Sequence, residues 1–261
     1  MATKAPAKNA AKKTGTAVAI KKPSGGAIVD IKAQMAADLA ALSNRTAPAG
    51  GDKIQLKNKK FVLPSGDSTD VLQAVIVEFV SVNNFYEGTY DPKAISPPAC
   101  FAIGTIPTQL VPSPNAPAIQ SDSCAGCPMN QYGSASVGEG KACKNQRRLA
   151  LLPPGGTADD AIMVLDVSPT GLKSFDSYVR SVAQKFGVTP VGVVTEISFD
   201  PNVDYASLRF GNPEPNESLA EHYGRRTEAM ERITQEPDVS SYSTPQPPKP
   251  KARVAKPAAR R

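Results

Sequence analysis

The strongest constraint on this chain is its cysteines. Among its 261 residues there are four, Cys100, Cys124, Cys127 and Cys143, and all fall in one stretch. The central pair reads Cys124-Ala125-Gly126-Cys127-Pro128. A two-residue gap lets two thiolates grip one metal ion from a tight turn, which Gly126 eases. Cys100 and Cys143 then complete a tetrahedral set from either side. Four sulfur ligands favour zinc over calcium or magnesium. They leave no open position for water, so the expected role is structural. The spacings match neither common ferredoxin pattern.

Three other uses of the cysteines stand beside zinc. Disulfides need an oxidising compartment. The chain opens Met1-Ala2-Thr3-Lys4 and runs into a lysine-rich segment with no apolar signal core. The expectation is a protein that is not secreted and keeps its thiols reduced. A redox pair belongs at a helix start after a buried strand, whereas Cys124 follows a long Pro/Ser/Asn loop. Plain core packing needs a core to join, and the surrounding Gly, Pro and Ser offer little.

The net charge of +6 hides a division. Residues 1–26 carry six lysines and no acid, and residues 245–261 carry six basic side chains and no acid. Residues 27–244 are therefore net acidic. Lys/Ala/Pro tails bury too little apolar surface to fold. Residues 1–26 and 241–261 thus read as disordered basic tails, with either a solubilising role or attraction to a polyanion. No apolar run is long enough to span a membrane.

Residues 27–52 read as a short helix, with Ile31, Met35, Leu39 and Leu42 on one face, and a linker. Residues 53–240 read as a single domain with an insertion at 97–148. From Lys53 the period changes to two. A hairpin turns at Lys57-Asn58-Lys59, and a long strand runs from Leu72 to Val82. After the cysteines come strands near 149–152 and 162–167. The clearest helix has an apolar face of Leu172, Phe175, Val179, Val182, Ala183 and Phe186, and ends at Gly187. Strands at 191–199 and 206–210 follow, then a helix capped by Asn216. The expected class is mainly β with added helices, a barrel core rather than alternating βαβ units.

The sequence carries no recognisable catalytic constellation. The stretch from Gly133 to Ala142 lacks the Lys-Ser/Thr of a phosphate loop. His222, the one histidine, reads as solvated beside Arg225 and Arg226. Asp159-Asp160, and Glu196 with Asp200, are ordinary acids near turns. The chain reads as no enzyme.

Two basic groups interrupt the acidic middle: Lys57, Lys59 and Lys60 with Lys53 on the hairpin, and Lys141, Lys144, Arg147 and Arg148 after the cysteines. Cations track phosphates, and aromatic faces stack on unpaired bases whatever their identity. Tyr86, Tyr90 and Tyr132 are the candidate stacking residues, because a hydroxyl tolerates a partly wet position. Phe61, Phe85 and Phe101 read as core. The expectation is a sequence-tolerant single-stranded DNA face beside the cysteine insertion, with the lysine hairpin on one side and Lys144, Arg147 and Arg148 on the other. The alternative is a zinc-ribbon regulator or recombination mediator whose main partner is a protein.

Several motifs resemble a family of tailed-bacteriophage early proteins. They are Pro97-Pro98-Ala99-Cys100-Phe101-Ala102, the run from Cys124 through Pro128-Met129-Asn130-Gln131-Tyr132-Gly133, Gly140-Lys141-Ala142-Cys143-Lys144-Asn145-Gln146-Arg147-Arg148, and Val167-Ser168-Pro169-Thr170-Gly171-Leu172. The resemblance covers residues 53–235, and the four-cysteine pattern is its specific part. It implies an OB-like β-barrel carrying a zinc-binding insertion, as in the helix-destabilising proteins of large coliphages. It also implies single-stranded DNA binding in phage DNA replication or recombination, in the host bacterial cytoplasm beside other replication or recombination proteins. One departure is the basic ending Arg260-Arg261, where many single-strand binders carry an acidic tail.

Overall fold

A computed structural model describes residues 31, 34–35, 52–88, 95–157 and 159–242. The chain divides into two compact units, residues 1–49 and 50–261. In the first, Ile31, Gln34 and Met35 are helical. Residues 1–26 and 243–261 of the expected tails, and Tyr90, lie outside the described residues.

The second unit is mainly β. Its first strands, β1 (Gln55–Lys57), β2 (Lys60–Val62) and β3 (Ser68–Thr69), form a small antiparallel sheet. Asn58 and Lys59 make the β1–β2 turn with φ of 50° and 54°. Two consecutive positive φ values suit a two-residue hairpin, because their twist matches that of the flanking strands. A lysine is an unusual occupant of that region. Here the Lys59 ammonium donates to the backbone oxygens of Asp200 (3.3 Å) and Val203, which ties the turn to a distant loop.

The main sheet is built around β4 (Leu72–Phe85), 14 residues long. The other members are β5 (Cys100–Gly104), β6 (Lys144–Leu152), β7 (Met163–Val167), β8 (Val193–Phe199) and β9 (Leu208–Pro215). The order is β7-β6-β4-β8-β9, all antiparallel, with β5 also on β4. One edge of β4 changes partner along its length. Leu72–Val75 pair with β8, whereas Ser81–Phe85 pair with β5. The opposite edge carries β6 nearly throughout.

A register shift between Ile76 and Glu78 leaves Val77 as the extra residue opposite β6. Such a bulge bends a strand and reverses which alternate residues face each side. Leu72, Ala74 and Ile76 enter one core, together with half-buried Phe79, while Val75, Val77, Val80 and Val82 enter the other. The bulge thus lets one strand stay apolar on both faces.

Helix α1 (Leu172–Phe186) covers the first face with Phe175, Tyr178 and Val182 buried. Gly187, at φ 67°, ends it in the left-handed region and donates to the Ala183 oxygen at 3.1 Å. The expected apolar face is rotated, with Tyr178 turned inward to Thr195 Oγ1 at 2.8 Å and Ala183 and Phe186 left exposed. The second face is covered by α2 (Leu219–Gly224) and α3 (Arg226–Ile233), where one longer helix was expected; Ala229 and Ile233 are buried there.

Among the described residues no ladder joins β7 to β9, so the sheet stays open where a closed barrel was expected. The β7 edge is instead met by a parallel bridge from Lys53 to Val164. Among the described residues no helix is long and apolar enough to cross a membrane.

Candidate metal and nucleic-acid site

The chain leaves β4 at Phe85, returns as β5, and makes a loop excursion before β6. Cys100 pairs with Phe85 and Lys144 pairs with Asn84, so β4 sets Cys100 and Cys143 at matched ends of its two neighbours. The expected 97–148 insertion is therefore sheet at both ends and loop between Gly104 and Lys144. Two short 3-10 turns, Pro107–Gln109 and Pro128–Asn130, punctuate it.

The Cys124–Cys127 turn is fixed by amides. Asn130 Nδ2 donates to the Cys124 oxygen at 2.7 Å, and Gln131 Nε2 donates to the Cys127 oxygen at 3.2 Å. Cys143 N donates to the Met129 oxygen at 2.8 Å. Gly126 is not among the glycines at positive φ, and a Cβ there would meet Ser123 Oγ at an ordinary 3.5 Å. The turn does not depend on a glycine.

All four thiols are free and buried, and all four line one cavity of about 20 Å³. Burial pushes the pKa of Cys100, Cys124 and Cys143 up. For Cys143 it reaches about 12, through burial first and then the negative charges of Cys124, Cys127 and Cys100. Hydrogen bonds act the other way: the Gln120 backbone amide bonds Cys100, and the Asn83 side chain bonds Cys124. Asn83 Oδ1 in turn accepts Asn145 Nδ2 at 2.6 Å.

Among the described residues no group of three or more His, Cys, Asp or Glu side chains is gathered tightly enough to hold a metal ion as it stands. In number and chemistry the four cysteines fit a closed zinc site, and the cavity has room for one small occupant. To ligate, the sulfurs would have to close inward.

The candidate binding residues divide. Tyr132 is 83% exposed, with Lys141 Nζ 5.1 Å from its ring centre, and Lys144 is exposed on the same excursion. Tyr86 is 45% exposed; burial first, then the charge of Asp166, raises its pKa. Arg147 and Arg148 are not free cations. Alternation along β6 sends them to opposite faces. Arg147 meets Asp176 of α1 at 3.1 Å with 11% of its side chain exposed. Arg148 meets Asp166 of β7 at 3.2 Å and donates to the Ile233 and Gln235 oxygens at 3.2 and 2.9 Å. The second arginine thus closes the C-terminal end of α3.

The hairpin lysines lie elsewhere. Lys59 binds the loop after β8, at the Leu72 end of β4, and Lys60 faces Asp70 at 3.6 Å; Lys57 is exposed. Lys144 pairs at the Asn84 end of β4. A straight strand of that length spans ~40 Å. The two basic groups therefore do not flank one face beside the cysteines.

Several features were not foreseen. The segment after α3 lies against the excursion: Glu236 accepts from Ser113 Oγ (2.6 Å) and Asn115 Nδ2 (2.7 Å), Val239 packs beside Cys100 and Phe101, and Tyr242 donates to Glu87 at 2.7 Å. His222, expected in solvent, is fully buried. Its Nδ1 lies 3.0 Å from Asn216 Nδ2, and its Nε2 has no hydrogen-bond partner among the described residues. The acids that read as ordinary in the sequence are engaged locally: Glu196 accepts from Asn212 at 3.0 Å, Asp200 pairs with Arg209 at 2.8 Å, and Asp160 accepts the Thr157 amide at 2.6 Å. A groove of about 1000 Å³ also runs between α1 and β9. The sequence signal for it is the polar face of α1, where Lys173, Ser174, Ser177, Ser181 and Lys185 recur at helical spacing.

Comparison with protein-family models, curated proteins and solved structures finds no match to this chain.

Proposed function

We propose that this chain is a non-enzymatic, sequence-tolerant single-stranded DNA-binding protein. One structural zinc at Cys100, Cys124, Cys127 and Cys143 staples its β5–β6 excursion. The observation that carries the reading is the exposed Tyr132 ring, with Lys141 over it and Lys144 nearby, on the excursion that the four cysteines anchor. An exposed aromatic face offers stacking to any unpaired base, and adjacent ammonium groups attract the phosphates that accompany it. Zinc would hold that platform still by binding thiolates that otherwise oppose one another. Arg147 and Arg148 would act one layer behind, by fixing β6 to α1, β7 and α3.

The long, bulged β4 that changes partner supports an opened OB-like reading of the sheet. The motif resemblance supports a setting in phage DNA replication or recombination within the bacterial cytoplasm. A protein-binding regulator is the second reading, favoured by Val137 and Ile119, exposed apolar side chains on the same excursion.

The test is Tyr132→Ala. Each stacked base contributes ~1–3 kcal/mol, so single-strand affinity should fall about tenfold, equally for all base compositions. Unchanged affinity with an intact fold removes the platform from the account.

A further inference from the structure

A second basic surface lies away from the cysteines. The groove between α1 and β9 is lined by Lys173 and Lys185 from the helix and by Arg209 from the strand. Asp200 is the one carboxylate among the described residues that line it, and its charge is met by Arg209 at 2.8 Å. Asp176, also on α1, is held by Arg147 at 3.1 Å. Among the described residues no carboxylate pairs with either lysine, so both stay as positive charge within the net-acidic stretch 27–244.

The groove also offers rings. Phe186 is 51% exposed at its rim, and Phe210 is half-buried in its wall, edge-on to Phe175 with ring centres 5.1 Å apart. An exposed aromatic ring at the end of a helix offers a face on which an unpaired base can stack. At the other end the groove runs into the loop after β8. That loop is where Lys59 donates to the Asp200 and Val203 oxygens. The lysine hairpin therefore meets the end of the groove instead of facing the cysteine excursion, and its exposed Lys57 is the cation it leaves available.

We propose that the α1/β9 groove, continued by the Lys57–Lys60 hairpin, is a binding track for a single nucleic-acid strand. This rests on the single-strand reading above and adds a second contact to it. From Lys173 to Lys185 the helix rises ~18 Å. A stacked strand presents about five phosphates over that length. Lys173, Lys185 and Lys57 of the hairpin contact phosphates, and Phe186 and Phe210 receive bases. Duplex DNA fits less well, because its bases are not free to stack on either ring.

The experiment uses the full-length protein and a mixed-sequence single-stranded oligodeoxynucleotide, titrated at several salt concentrations. Three proteins are compared: the parent, Lys173→Gln/Lys185→Gln, and the charge-reversed Lys173→Glu/Lys185→Glu. Both lysines are exposed, so the fold should survive, and circular dichroism checks it. Loss of two phosphate contacts should lower the log–log salt slope by about 1.4. The reversed pair should lose at least tenfold in affinity. Photo-crosslinks should map to peptides holding Phe186 and Phe210. If the parent binds and both double variants match it in affinity and slope, the groove is overturned while the Tyr132 platform stands. If the parent itself binds no single strand, both readings fall together.

Discussion

Cys100 and Lys144, the residue after Cys143, pair with consecutive residues of one strand, Phe85 and Asn84, from its opposite edges. The outer two cysteines are thus positioned by the sheet, and only the inner two depend on a loop. A metal would join a pair set by strand pairing to a pair set by side-chain amides of the loop.

The first prediction follows from that asymmetry. Purified protein should contain one zinc per chain, measured by elemental analysis. Cys124→Ser should lose the metal and expose residues 105–142 to protease while the main sheet persists, since ligation supplies local folding energy. Metal-free native protein with a protease-resistant excursion would contradict it.

Arg148 and Lys144 should separate stability from binding. Arg148→Ala removes a half-buried pair with Asp166 and two bonds to the end of α3. A loss of about 1.5–3 kcal/mol is expected in urea unfolding, from hydrogen bonds involving a charged group. The salt slope of single-strand binding should not move. Lys144→Gln should leave stability alone and lower that slope by about 0.7.

These two residues also show what the sequence reveals and what it hides. Residues 144–148 read as one basic patch because charge is visible in a linear string. The partners that consume it, Asp176 and Asp166, come from a helix and a strand more than fifteen residues away, and pairing of that kind leaves no local pattern. The long strand was legible from its β-branched density, but the Val77 bulge was not, because an apolar run is identical in either register. The helix at 172–186 was legible by period, though Tyr178 replaced Phe186 on the buried face because Thr195 offered its hydroxyl a partner. His222 misled because its sequence neighbours are charged, while its enclosure comes from Gly156 and Asn216.

His222 gives a pH prediction. Burial, first, holds its pKa below the usual histidine value. The unfolded chain therefore binds more protons than the folded one between the two pKa values. That contribution is fully present above the unfolded value of about 6.5 and is lost as pH falls through the folded value. Denaturation midpoints should decline as pH drops below about 6.5, and His222→Gln should flatten the decline. An equal pH dependence in both proteins would assign it to other groups.

Removal of residues 1–26 and 245–261 takes away twelve of the 30 basic side chains. Single-strand affinity and its salt slope should both fall. A slope that survives truncation unchanged would leave the tails without a role in binding.

The most direct measurement is the affinity of the zinc-loaded, full-length protein for one mixed-sequence oligonucleotide, offered single-stranded and as its duplex, at two salt concentrations. The account predicts at least tenfold tighter binding to the single strand at both, with affinity falling as salt rises. Equal or tighter binding to the duplex would contradict it.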